Sequence, residues 1–288
     1  MQKVDLSKHN PFGSYTSNFG AYFSFGPEFD DWVRNTMLEA VLPTQPTGSK
    51  PIKLVDIGAG SCYWARLFLK AQADMEITAV DPSASLILEQ ASQDIAADKG
   101  PQPKLIRHCM SAQDFAAECR GPDRSGRYDC IYFMQSAHYV GDDEFKDVFS
   151  GLAQGLKQTN GKVVIQARNM TEDWYPWAFP VEWKAEVEGA LHATSMFGRA
   201  DRYKAQLEAM NDVFSDVTFH ERRFDVHVEA EDYWDRLENR WIPTFMAEHI
   251  ISSSLHRRGI DTMKAQFAER NETRVSWVEK YALVTAHL

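Results

Sequence analysis

Cysteine is scarce. The 288 residues hold four, at 62, 109, 119 and 130, and none has C-x-x-C spacing. That density excludes a disulfide-stapled secreted scaffold and a zinc ribbon, and it predicts free thiols in a reducing cytoplasm. No stretch approaches the roughly eighteen apolar residues of a bilayer-spanning helix. The N-terminal MQKVDLSKHNPF lacks the apolar centre of a secretory signal. The expected location is therefore cytoplasmic, without a membrane partner. An excess of positive charge is missing too: 41 Asp and Glu against 31 Lys and Arg leave −10. A polyanion meets net repulsion from such a chain unless basic residues cluster. Only the pairs Arg222-Arg223 and Arg257-Arg258 do so, and they read as solvated element ends, so nucleic acid is not expected as a partner. The nine histidines form no H-x-x-x-H, and G-x-S-x-G is absent. Neither a metal-assisted mechanism nor a Ser-His-Asp hydrolase is expected.

What is present is concentrated between residues 52 and 81. The apolar run Ile52 to Ile57 reads as a fully buried strand. It is followed by Gly58, Ala59 and Gly60, then by a helix beginning near Ala65. The two glycines permit a turn with unusual dihedrals and a close backbone approach. A second apolar strand, Ile77 to Val80, ends in Asp81, twenty-three residues after Gly58. An acidic residue there can accept hydrogen bonds from both hydroxyls of a ribose, so the pair suggests an adenosine-containing cofactor. A dinucleotide fingerprint requires a third glycine for helix packing beside a pyrophosphate. Tyr63 stands in that place and crowds the diphosphate path. Asp56, two residues before the first glycine, supplies instead a carboxylate suited to an ammonium group. A nicotinamide oxidoreductase ranks last for this reason.

Along the rest of the chain, strands and helices alternate. An N-terminal helix over Glu28 to Val41 precedes the linker PTQPTGSKP. After Asp81, Ser83 caps a helix reaching about Ala97. Lys104 to Cys109, Tyr128 to Met134 and Lys162 to Ala167 read as strands. Helices over Ala112 to Cys119 and Asp142 to Leu156 separate them. This alternation demands parallel pairing with right-handed crossovers, a doubly wound α/β sheet. Thr171 to Met210 is aromatic and helix-forming, the mark of an inserted cap. Val213 to Val228 reads as one or two strands, Ala230 to Ile250 as a helix and Arg274 to Ala286 as a closing strand.

The glycine loop with Asp56 and Asp81 resembles motif I of the class I S-adenosylmethionine-dependent methyltransferases. Four further stretches resemble that class's type-11-like small-molecule branch, and most closely the trans-aconitate methyltransferases. MSAQDF (Met110 to Phe115) is similar to a G-x-A-E-D-L stretch that edges the adenine, with Met110 in the glycine's place and Gln113 in the acid's. The Gln113 amide is still able to bond the adenine amine. YDCIYFMQSAHYV resembles a strand-four segment ending in A-H-W or A-H-Y, and LKQTNGKVVI the L-K-P-G-G turn into strand five. EDYWDRLENRW with SSLHRR resembles the C-terminal helices of the branch.

The resemblance spans roughly residues 50 to 288. It implies a Rossmann-like sheet of seven strands, the last antiparallel, plus an N-terminal lid and a helical insertion. The expected organisation is a lid segment over 1–50, a cofactor-binding core over 51–170, a cap over 171–212 and completion of the sheet over 213–288.

The resemblance also implies S-adenosyl-L-methionine as cofactor, held by Asp56, Gly58, Ala59, Gly60, Asp81, Pro82, Ser111, Ala112, Gln113 and Gln135. Gln135 and Ser136 share the loop after strand four and are expected to border the methionine part of the cofactor. His138, at the carboxyl end of strand four, is the candidate that orients or deprotonates an acceptor. The sulfonium suits aromatic faces. Tyr15, Phe19, Tyr22 and Phe23 in a Gly/Ser-rich segment, and Trp174, Tyr175, Trp177, Phe179 and Trp183 in the insertion, can supply them. Tyr15 and Tyr22 are the catalytic candidates among these. Phe19, Trp174 and Tyr175 are the substrate-side ones, with Arg199 or Arg168 to pair a carboxylate. Methyl transfer to oxygen or nitrogen of a small molecule is the leading expectation. Cleavage of the cofactor to methylthioadenosine is a second, and a cofactor-binding subunit without turnover a third. The sequence leaves the oligomeric state open.

Overall fold

The computed structural model describes residues 27–43, 51–60, 62–72, 74–84, 87, 104–137, 140–141, 143–168, 200–236, 238, 261–262 and 264–288. Helix α1 (Pro27–Val41) leads into β1 (Ile52–Ile57), α2 (Tyr63–Ala71), β2 (Met75–Asp81), β3 (Lys104–Cys109) and α3 (Ala112–Cys119). Then come β4 (Cys130–Met134), α4 (Phe145–Gly155), β5 (Lys162–Arg168), α5 (Ala200–Val213), β6 (Asp216–Glu229), α6 (Ala230–Arg236) and β7 (Arg274–His287). Seven strands form one sheet in the order β3-β2-β1-β4-β5-β7-β6. The first five are parallel, and β7 runs antiparallel to both β5 and β6. The expected seven-stranded sheet is the observed one, while the N-terminal lid before residue 27 and the insertion over 171–199 lie outside the described residues.

The central strands are buried on both faces, as parallel strands covered by helices must be. All five residues of β4 are buried, and so are five of the six in β1. On one face Phe115, Phe149, Leu152 and Met210 bring α3, α4 and α5 against Val55, Ile131 and Val163. On the other, Val33, Met37 and Val41 of α1 and Phe68 of α2 cover Leu54, Tyr132 and Val164. A buried lysine ties α1 to the sheet: Lys162 Nζ donates to the Leu42 carbonyl over 2.6 Å. That bond satisfies a carbonyl left without an intrahelical partner just beyond the helix end.

Several boundaries move. Strand β2 starts two residues earlier than expected, and α2 begins at Tyr63 rather than Ala65. Strand β4 begins at Cys130, with Tyr128 joined to Leu156 by a single bridge. Helix α4 starts at Phe145, because Gly141 and Glu144 form a turn before it. The stretch expected as one or two strands over 213–228 holds a single strand, Asp216–Glu229, because Val213 is the last residue of α5. Its pairing with β7 extends from Asp216↔His287 to Glu229↔Arg274, while β5 meets only the Tyr281 to His287 part of β7. The outer half of this ribbon therefore continues past the carboxyl end of β5. Arg222 lies over the rings of Trp32 and Phe224, at 5.4 and 4.8 Å, so one member of this basic pair stacks on aromatic side chains, while Arg223 is exposed beside Glu221. The other basic pair, at 257–258, lies outside the described residues, as do the inserted cap up to residue 199 and most of the helix expected from Ser83.

Candidate functional site

The chain leaves β1 toward β2 and β3 on one side and toward β4 and β5 on the other, which opens a crevice at the carboxyl ends of β1 and β4. Open α/β sheets bind ligands at such switch points. The glycine turn lies there. Gly58 N and Ala59 N both donate to the Val80 carbonyl, at 2.8 and 3.1 Å, and Cys62 N closes the turn on Ala59 O at 2.8 Å. Gly58, Gly60 and Cys62 have φ of +72°, +51° and +59°. The two glycines differ in what surrounds them. A Cβ on Gly58 would lie 2.4 Å from Ser136 Cβ, whereas one on Gly60 meets nothing within 4 Å. The close approach expected of Gly58 is thus to the β4 loop, and the open side of the turn is at Gly60. Ser136, expected beside a ligand, is turned inward, its hydroxyl donating to the Ile57 carbonyl.

Asp81 links this turn to the next. Its Oδ2 accepts from Gly60 N and its Oδ1 from Ser83 N, each at 2.8 Å. Burial raises its pKa and the two amide donors oppose the shift. Each carboxylate oxygen has a second lone-pair site for a hydroxyl donor. Pro82 beside it is exposed.

Asp56 lies deeper, 1% exposed, and its Oδ1 has no hydrogen-bond partner. Burial pushes its carboxyl up to about 8, the Asp81 charge adds to the rise, and the Tyr132 hydroxyl opposes it. Tyr132 pairs with Asp56 in register across β1 and β4, but its hydroxyl makes no hydrogen bond of ordinary geometry. A buried carboxylate oxygen without a donor is costly unless a donor arrives from elsewhere. The ammonium of an amino acid is such a donor, so the residues present fit an adenosine that carries an amino acid with a free ammonium. The adjacent Cys62 thiol is pushed up to about 11 by burial, which argues against a thiolate nucleophile.

On the β3 side, Met110 N donates to Asp81 O at 3.2 Å. Ser111 is the N-cap of α3, accepting from Asp114 N and donating to Asp114 Oδ2, so its hydroxyl is engaged in capping. Ala112 and Gln113 form the first turn of α3, half-buried, and Gln113 Nε2 donates to Glu144 Oε2 at 2.7 Å. Gln135, the residue after β4, has φ +52° and donates its backbone N–H to Gln166 O at 2.8 Å. The Gln166 side chain is buried with neither amide atom bonded. Tyr132, Glu144 and Gln166 carry no motif and were not foreseen. Tyr132 had one usable signal, a polar-tipped residue in an otherwise apolar buried strand. His138, Tyr15, Phe19, Tyr22, Phe23, Trp174, Tyr175, Trp177, Phe179, Trp183 and Arg199 lie outside the described residues. Arg168 is placed by register opposite Tyr281.

The family model of the methyltransferase domain matches residues 29–261, most of the chain. The chain belongs to this family. No curated protein matches the methyltransferase. Among solved structures it is similar to phosphoethanolamine N-methyltransferase 2 of Haemonchus contortus, solved with phosphomonomethylethanolamine and S-adenosylhomocysteine. Identity there is 14% and the TM-score 0.55, over 98% of this chain and 58% of that one. It therefore spans less than two thirds of that enzyme. A cyclopropane synthase of Mycobacterium tuberculosis gives 15% identity and a TM-score of 0.51, over 88% of this chain and 82% of that one. The YcgJ protein of Bacillus subtilis gives the same identity and score over 88% and 96%. Likeness at this level speaks for the fold. Among the described residues no helix is long and apolar enough to cross a membrane, and no group of three or more His, Cys, Asp or Glu side chains could hold a metal.

Proposed function

We propose that this methyltransferase uses S-adenosyl-L-methionine to methylate an oxygen or nitrogen of a small molecule, of the kind handled by the trans-aconitate branch it resembles. The observation that carries the reading is the buried Asp56 oxygen without a donor, beneath a turn that is open at Gly60 and bounded by Asp81. When bound, the cofactor supplies an electrophilic methyl group on a sulfonium. In this reading Asp56 receives the ammonium, and Asp81 receives the ribose hydroxyls while holding the turn. Gly58 and Ala59 carry the turn, and Pro82, Ser111, Ala112 and Gln113 border the base. Gln135 faces the methionine part. His138 orients the acceptor or takes its proton, and Tyr15 and Tyr22 of the lid offer aromatic faces to the sulfonium. Phe19, Trp174, Tyr175 and Arg199 enclose the acceptor from the lid over 1–50 and the cap over 171–212. Positioning and desolvation then provide much of the rate.

Incubation with methyl-labelled cofactor and fractionated metabolite extracts tests this. The expected result is S-adenosylhomocysteine, with label in a small molecule, dependent on one extract fraction. Methylthioadenosine as the product would replace this reading with cofactor cleavage. Tight binding without consumption in any fraction would replace it with a non-catalytic subunit.

A further inference from the structure

We propose that Glu144 is a positioning residue that makes the site select a 6-amino purine over a 6-oxo purine, by fixing which end of the Gln113 amide faces the base. The inference rests on the reading above that Gln113 borders the base. Gln113 lies in the first turn of α3 after β3, and Glu144 directly precedes α4 after β4. Their 2.7 Å bond therefore bridges two connections at the carboxyl edge of the sheet. A carboxylate only accepts, so the Gln113 NH2 must face Glu144, and the carbonyl oxygen lies on the other branch of the same planar group. An oxygen presented to the base accepts from an exocyclic amine and repels an exocyclic carbonyl.

Two further observations separate this arrangement from an incidental surface contact. Glu144 occupies the N-cap position of α4, yet its side chain makes no capping bond. Its Oε2 is held instead by Gln113 Nε2 and, at 3.3 Å, by the backbone N–H of Gly141. In addition, a Cβ on Gly141 would lie 2.6 Å from that same oxygen. The bare backbone at 141 leaves room for the carboxylate to sit where it does.

The test is calorimetric titration of the full chain with S-adenosylhomocysteine and with S-inosylhomocysteine, in which oxygen replaces the 6-amino group. The wild-type chain should prefer the adenosyl compound by roughly tenfold or more, since a site built for one hydrogen-bond polarity leaves groups unpaired with the other. In Glu144→Gln the new amide offers either polarity, so Gln113 is free to turn over. Inosyl affinity should then rise several-fold while adenosyl affinity changes less. Gly141→Ala, which displaces the carboxylate by a different route, should move the ratio in the same direction. A gain in inosyl binding is not what a loss of structural support produces. Gln113→Ala separates the two layers of the argument. If it abolishes the preference while Glu144→Gln and Gly141→Ala, both unfolding like the wild type, leave it intact, the role of Glu144 is overturned. If Gln113→Ala itself leaves the preference intact, or the wild type binds neither compound, the placement of Gln113 at the base falls and the inference with it.

Discussion

The backbone N–H of Gly60 donates to Oδ2 of Asp81 over 2.8 Å, so the acid at the end of β2 holds the tip of the glycine turn as well as facing the crevice. Asp81→Asn keeps the shape but leaves one oxygen to serve two amides. Hydrogen bonds to a charged group contribute about 1.5–3 kcal/mol each. Cofactor affinity should fall roughly 10- to 100-fold, read by calorimetry, and denaturant stability should fall with it.

The two glycines should respond differently to alanine. Gly58→Ala drives a Cβ to 2.4 Å from Ser136 Cβ at a φ of +72°, a short and rigid neighbour. A loss of about 2–4 kcal/mol in urea unfolding is expected, partly recovered by adding Ser136→Gly. Gly60→Ala meets nothing within 4 Å and should cost only the backbone strain, about 1 kcal/mol. It should weaken the cofactor more than the fold, because the new methyl enters the open side of the turn.

Lys162 Nζ reaches the Leu42 carbonyl over 2.6 Å from a side chain held in the core. Lys162→Ala leaves that carbonyl without its donor and should cost about 1–3 kcal/mol. Hydrogen exchange should rise in α1 before it rises in β4 or β1.

Burial raises the Asp56 pKa from 3.8 to about 8 in the folded chain, so the folded state holds this proton more tightly than the unfolded one. The associated stability is complete below the unfolded value and is lost as pH rises through the folded value. Between about pH 4 and pH 8 the ligand-free chain should lose stability from this group. Asp56→Asn should flatten that part of the slope and be the more stable protein at the upper end, while losing the cofactor. Asp81, whose pKa burial also raises, adds a slope of the same sign that Asp56→Asn leaves in place. Urea titrations across this window read both.

The strands were legible because burial on both faces writes itself as runs such as IKLVDI and CIYFM, and because Gly58, Gly60 and Asp81 mark a turn and a strand end. The extents of β6 and β7 were legible to within a few residues, but their pairing as a ribbon that outruns β5 was not. Phe224, Val226 and Val228 do alternate with polar residues in RRFDVHVE, as a strand requires, but which strand they pair with past the end of β5 depends on a partner about fifty residues away. The roles of Tyr132, Glu144 and Ser136 come from tertiary placement. Ser136 reads as a ligand contact from its loop, and only the neighbouring Gly58 shows why it turns inward. The buried depth of Asp56 was equally hidden, since an aspartate inside an apolar strand reads the same whether it is solvated or not.

Titration of S-adenosylhomocysteine into the full chain at neutral pH, repeated in buffers of different ionisation heat, bears on the whole reading. One site is expected, with a proton released to the buffer as Asp56 ionises against the incoming ammonium, and with no heat from NAD. A chain that takes up NAD and is silent toward S-adenosylhomocysteine would contradict it.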